Sequence, residues 1–113
     1  MHELAIAEQI RESVAAAAAA YPGNRVTSVK LSVGQLRAIE PDTMQLCWQA
    51  VTQDSCMSGS VIEIEEVVAM GRCRSCREQF EAEDLVFVCP VCGNADVETL
   101  CGKELLVDRI NLE

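Results

Sequence analysis

Residues 73–93 read CRSCREQFEAEDLVFVCPVCG. Cys73 and Cys76 form one C-x-x-C pair, Cys89 and Cys92 a second, and twelve residues separate them. A C-x-x-C turn brings two sulfurs to one point, and two such turns facing each other enclose a tetrahedral four-sulfur cage. Zn²⁺ suits that cage, because it imposes no geometry of its own and accepts soft thiolate ligands. Four thiolates close the coordination sphere, so a metal here is structural and leaves no position for activating water. Its binding energy folds a segment too small to fold by itself.

Two other readings compete for these cysteines. Disulfides are disfavoured by the odd total of seven cysteines and by the absence of a basic, apolar leader, which together point to a reducing cytoplasm. Iron is the sharper rival, since Cys89-Pro90-Val91-Cys92-Gly93 resembles one knuckle of a rubredoxin. Rubredoxins surround their metal with aromatics, however, and only Phe80 and Phe87 lie in this stretch. The intervening residues Glu78, Glu81, Glu83 and Asp84 are acidic. That argues against a zinc ribbon that grips nucleic acid.

Working outward from the cysteines, the chain reads as α+β. Residues 3–20 have helical periodicity, with Ile6, Ile10, Val14 and Ala17 on one face, and Pro22-Gly23-Asn24 ends the helix. In residues 25–34, Val29, Leu31 and Val33 alternate with Ser28, Lys30 and Ser32, which predicts a half-buried strand. Pro41 and Asp42 suit the first turn of a second helix, with Met44, Cys47, Trp48 and Val51 on its apolar face and an end near Ser58-Gly59. A second strand is expected over 61–69, where Ile62 and Ile64 alternate with Glu63 and Glu65. The last run, ELLVDRINLE, carries Leu106, Ile110 and Leu112 and can rejoin the earlier sheet. The expected architecture is a small sheet of about three strands packed with two helices, plus an inserted zinc-ribbon-like subdomain. Its parts are an α+β domain over 1–70 and 103–113 and a zinc-binding subdomain over 71–102. Cys47 reads as core, whereas Cys56 and Cys101 have no partner spacing.

Composition narrows function. The formal net charge is −9 and the pI about 4.5, which repels phosphate backbones and favours partners with basic faces. The longest low-polarity run, Val14 to Ala20, is far short of the roughly 20 residues a bilayer requires. Nothing assembles a catalytic constellation, and the chain is not expected to be an enzyme. His2 is the one histidine among 113 residues. Exposure at a frayed terminus would explain it without any function. Alternatively, Met1 is retained because its removal generally requires a small second residue. The amine, the His2 amide and the His2 ring nitrogen then close five- and six-membered chelate rings, and Glu3 adds a fourth donor. Ionised amides in such a plane suit Ni²⁺ or Cu²⁺.

MHELAIAEQI at the start, RVTSVKLSVGQL leading to IEPDTMQLCWQAV, and the paired C-x-x-C with its Cys-Pro-x-Cys together resemble the HypA/HybF family of nickel-insertion proteins, nearly from end to end. The resemblance implies a nickel metallochaperone serving nickel–iron hydrogenase. Nickel would sit on His2 through its ring and amide nitrogens, with Glu3, and with the Met1 amine and Glu40 as further candidates. Structural zinc would sit on Cys73, Cys76, Cys89 and Cys92. The implied partners are the GTPase HypB, the hydrogenase large subunit and, for some members, urease maturation factors. Several members carry histidines beside the cysteine pairs, whereas here Gly93 follows Cys92 and His2 stands alone.

Overall fold

A computed structural model describes residues 2–82 and 86–113. The Met1 amine and the acidic residues Glu83 and Asp84 lie outside the described residues. The elements run α1 (His2–Ala18), β1 (Val26–Gly34), a 3₁₀ turn (Gln35–Arg37), α2 (Pro41–Val51), β2 (Val61–Val67), β3 (Met70–Cys73), β4 (Gln79–Glu81), β5 (Val97–Cys101) and β6 (Leu105–Leu112). The chain divides into two compact units. One holds residues 2–31, Ile39–Glu65 and Leu106–Glu113; the other holds Ser32–Ala38 and Glu66–Leu105. The second unit takes in residues 32–38, which the sequence assigns to the α+β domain.

In the first unit α1 packs on α2. The buried residues of α1 are Glu3, Ile6, Ala7, Ile10, Val14 and Ala18, a stripe at three- and four-residue steps. Ala17, expected on this face, is exposed and Ala18 takes its place. The 3.6-residue period carries the stripe from Val14 to Ala18, and in a run of alanines no change of side-chain size marks the difference. The helix ends at Ala18, and Gly23 turns the chain at φ +87°.

α2 begins where Glu40 caps it and Pro41 occupies its first turn. It buries Met44, Cys47 and Trp48. The expected continuation toward Ser58-Gly59 does not form, and α2 stops at Val51. Thr52 spends both its N–H and its hydroxyl on the Trp48 carbonyl, at 3.1 and 2.7 Å. Asp54 then adopts φ +58°, a left-handed conformation that no α-helix continues. The turn that follows serves the core, because Ser60 accepts the indole N–H of fully buried Trp48 at 2.8 Å.

β1 is central in the three-stranded sheet β2-β1-β6, which explains why Val29 and Leu31 are fully buried. Arg25 and Glu113 exchange both backbone hydrogen bonds, at 3.1 and 2.8 Å, and Gly34 donates to the Glu104 carbonyl at 2.7 Å. β6 therefore runs antiparallel to β1 and rejoins the sheet as expected. β2 is shorter than the expected 61–69 and ends at Val67.

The second unit holds a feature the cysteine spacing does not announce. It is an antiparallel three-stranded sheet, β4-β3-β5, with Gly71 opposite both Phe80 and Thr99. Cys73, Phe80 and Cys89 form its small core, with Val97 packed on them. The unit also contains a close backbone crossing: a Cβ on Gly34 would collide with the Gly102 carbonyl oxygen. Beside it, the Leu36 N–H bonds that same oxygen at 2.8 Å. Among the described residues, no helix is long and apolar enough to cross a membrane.

Candidate metal centres

The two cysteine pairs sit on matching turns. Arg77 N–H donates to the Cys73 carbonyl at 2.9 Å, and Gly93 N–H donates to the Cys89 carbonyl at 2.8 Å. The first cysteine of each pair donates onward, Cys73 to the Glu78 carbonyl at 2.9 Å and Cys89 to the Asn94 carbonyl at 3.0 Å. Side chains clip the turns together. The Asn94 amide donates to the Ser75 hydroxyl at 2.6 Å, and Arg74 meets the Asp96 carboxylate at 2.8 Å. Ser75, Asn94, Arg74 and Asp96 escaped the reading of the sequence. Their only signal was position, inside or just after a knuckle.

The four sulfurs lie within 4.8 Å of one another, and the Cys73–Cys92 and Cys76–Cys89 pairs are each 3.5 Å apart. Tetrahedral Zn²⁺ with bonds of about 2.3 Å separates its sulfurs by about 3.8 Å. The donor set therefore fits zinc in both chemistry and spacing. Cys73 and Cys89 are buried, whereas Cys76 and Cys92 face solvent. The backbone N–H of Cys76, assisted by that of Ser75, pulls the Cys73 thiol down to about 6. The N–H of Cys92 likewise lowers Cys89. Cys76 is favoured as a thiolate by the Glu78 N–H, but the Cys89 sulfur and burial outweigh this and push it up to about 12. Cys92 is raised in the same sense: its neighbours Cys73 and Cys89, with burial, outweigh the Asn94 N–H. The two inner thiols are thus shifted toward the charged form and the two outer ones away from it. Four sulfurs fill the tetrahedral positions of such a cage, as in structural zinc sites.

The second candidate lies at the start of α1. His2 projects a half-exposed ring whose Nδ1 is 3.3 Å from Glu3 Oε1. Glu3 Oε2 accepts the backbone N–H of Glu40 at 3.3 Å. The Glu40 carboxylate turns onto α2, where its Oε2 accepts the Thr43 N–H at 2.6 Å and the Thr43 hydroxyl at 2.8 Å. A continuous chain thus runs His2–Glu3–Glu40–Thr43. Glu3's own N–H and that of Glu40 hold the Glu3 carboxyl below its ordinary value, against a smaller opposing effect of burial. The Thr43 N–H and hydroxyl do the same for Glu40. At the start of an α-helix the first N–H groups have no carbonyl partner within the helix. The amides of His2 and Glu3 can therefore be given to a cation without breaking a helical bond. Among the described residues, the four cysteines are the group of three or more metal-binding side chains whose ligand atoms gather together. His2, Glu3 and Glu40 are linked by the His2–Glu3 contact and the Glu40 N–H, but their ligand atoms do not form such a cluster. Cys47 is buried in the core as expected, Cys56 is exposed, and half-buried Cys101 donates to the Val68 carbonyl at 3.3 Å.

Comparison with known proteins places this arrangement. A family model described as "Hydrogenase/urease nickel incorporation, metallochaperone, hypA" matches residues 1–112. The hydrogenase maturation factor HypA of Desulfitobacterium hafniense is 36% identical over 113 residues, covering all of this chain and 99% of the relative. That of Geotalea uraniireducens is 37% identical, and the alignment spans both chains fully. The solution structure of the Ni metallochaperone HypA from Helicobacter pylori superposes with a TM-score of 0.67 at 15% identity, covering 97% of this chain and 96% of that one. A second HypA solution structure gives 0.70 at 17%, covering 100% and 97%. At those identities the two structures speak for the fold, two helices with small sheets and a four-cysteine unit, and the family match speaks for the kind of protein. This chain belongs to the HypA family of hydrogenase and urease nickel-incorporation metallochaperones.

Proposed function

We propose that this protein takes up Ni²⁺ on the first residues of α1 and gives it up to the large subunit of a nickel–iron hydrogenase, working with the GTPase HypB. The donors are the ring and amide nitrogens of His2, the amine of Met1 and Glu3, with Glu40 as a further ligand. The four cysteines hold zinc that stabilises the second unit. The protein acts in the cytoplasm, as a carrier and not as an enzyme, and urease maturation factors are a second class of recipient.

The observation that carries this reading is the chain of contacts from the His2 ring through the Glu3 carboxylate to the Glu40 N–H. It ties the one imidazole of the protein to the Glu3 carboxylate at the first turn of a helix and, through the backbone N–H of Glu40, to the residue that caps the second helix, in a chain whose family inserts nickel. Nitrogen donors of this kind bind Cu²⁺ more tightly than Ni²⁺. Affinity alone therefore does not select the cargo, and selection falls to the partner that docks. The acidic surface favours a basic partner face.

The test is a nickel titration of protein beginning at a free Met1, compared with His2→Ala and with protein extended at its N-terminus. The reading expects binding by the first and loss in the other two. Equal binding by all three sinks it.

A further inference from the structure

The carboxylate of Glu40 faces two demands that it cannot meet together. As the cap of α2 it accepts two hydrogen bonds from Thr43, both on Oε2, at 2.6 Å from the N–H and 2.8 Å from the hydroxyl. As a nickel ligand it would have to join His2 and Glu3, with which it does not gather. Its backbone is nevertheless held beside them, because the Glu40 N–H is bound by Glu3 Oε2, and the other oxygen of Glu3 meets the His2 ring. What must change for the carboxylate to reach a cation at His2 is its rotamer and its two bonds to Thr43.

We propose that Thr43 sets how tightly nickel is held, by competing with the cation for the carboxylate of Glu40. This rests on the nickel reading above, with Glu40 among the donors. Thr43 is a positioning residue and touches no metal. Its hydroxyl adds a second bond to a carboxylate that the N–H alone already satisfies, so its contribution can be removed while the helix cap is kept. The competition is reciprocal: whatever Thr43 subtracts from nickel affinity, bound nickel subtracts from the cap, and loading exposes the Thr43 N–H. Such an arrangement suits a carrier. When the cation is drawn away, the cap is ready to recapture the carboxylate, and release is assisted by a bond within the protein.

The experiment is a calorimetric nickel titration of zinc-loaded, full-length protein with a free Met1. It compares wild type with Thr43→Val, Thr43→Ser, Glu40→Gln and the Glu40→Gln/Thr43→Val double variant. Valine keeps the shape of threonine and deletes the hydroxyl, so nickel binding should tighten roughly 2- to 10-fold, the range of one net hydrogen bond. Serine restores the hydroxyl and should return wild-type affinity. Glu40→Gln should weaken binding, and in that background Thr43→Val should change nothing. Amide hydrogen exchange at Thr43 should accelerate when nickel is added to wild type. Unchanged or weaker binding by Thr43→Val overturns the proposal, and so does an equal gain in the Glu40→Gln background. Far-UV circular dichroism and thermal unfolding certify the fold of each variant; if Thr43→Val fails that check, Thr43→Ala carries the same comparison. His2→Ala separates the two layers. If it binds nickel like wild type, the N-terminal reading itself fails. If it loses nickel while Thr43→Val is unaltered, only the competition falls.

Discussion

Arg77 and Gly93 occupy the same left-handed backbone conformation, at φ +65° and +75°, each directly after the second cysteine of its knuckle. Each donates its N–H to the first cysteine's carbonyl at nearly the same distance. The two turns are therefore copies in geometry with different residues at the demanding position. Glycine adopts positive φ freely, whereas a residue with a Cβ pays about 1–2 kcal/mol there.

Arg77→Gly should accordingly stabilise the knuckle, by roughly 0.5–1 kcal/mol after the added freedom of the unfolded chain is subtracted. Because metal binding and folding of so small a unit are linked, this should appear as zinc held about 2- to 5-fold more tightly against a chromophoric chelator. Gly93→Arg should do the opposite. Weaker zinc retention by Arg77→Gly would show that the Arg77 side chain contributes something its position does not reveal.

Zinc uptake should also release an unusual number of protons. Backbone N–H groups lower Cys73 and Cys89, while neighbouring sulfurs and burial raise Cys76 and Cys92. Four independent thiols, each with a pKa near 8.5, would give up nearly four protons on binding zinc at pH 7. Here Cys73, held down to about 6, enters the reaction largely ionised, and Cys89 is shifted in the same direction, so the count should fall below four. Calorimetry of zinc binding in buffers of different ionisation enthalpy measures it. A count near four would mean that the N–H groups of the knuckles are not pre-aimed at the sulfurs in the metal-free protein.

What the sequence makes legible is what is local. The helical stripe of α1, the alternation in β1 and the paired C-x-x-C are each written within about twenty consecutive residues, and each is legible there, the stripe up to Val14, beyond which Ala18 and not Ala17 continues it. The residues that refine these elements act at a distance or through hydrogen bonds that hydropathy does not record. The end of α2 depends on Thr52 turning back to the Trp48 carbonyl, and its beginning on Thr43 holding Glu40. The sheet β4-β3-β5 uses strands of three to five residues, too short for alternation to be seen. Its central strand contains Gly71, which by composition belongs to a loop. At the proposed nickel site His2 and Glu3 stand out by position, and Glu40 by resemblance. That the Glu40 carboxylate is already engaged elsewhere could be learned only from the fold.

The cap of α2 also predicts a pH dependence. The Glu40 carboxyl lies below its ordinary value when folded, because the Thr43 N–H and hydroxyl favour its charged form. The sign follows: the stabilisation is complete above the unfolded carboxyl's pKa of about 4.3, and it is lost as pH falls through the lower folded value. Glu40→Gln keeps an oxygen to accept the bond but has no charge to place at the positive end of the helix. Its melting temperature should fall below wild type by a few degrees at pH 6–7, and the gap should narrow as pH falls below the unfolded carboxyl's range. A gap independent of pH would assign the effect to shape and not to charge.

The last prediction concerns Trp48, the one tryptophan of the chain. Its ring is fully buried, and its N–H is satisfied by the Ser60 hydroxyl at 2.8 Å, which in turn donates to the Met57 carbonyl. Ser60→Ala leaves the indole N–H buried without an acceptor, a loss of about 1–3 kcal/mol in urea unfolding. Trp48→Phe removes the donor and also leaves space where the larger ring was. In the double variant the serine's contribution to the indole is already gone. The two effects should therefore add to less than their sum, with a coupling of about 1 kcal/mol. The indole emission of Ser60→Ala reports on the same contact without unfolding, and a shift to longer wavelength would mean that water had replaced the hydroxyl. Strict additivity in the cycle would show that Ser60 holds the turn through Met57 alone and that the indole bond stabilises nothing.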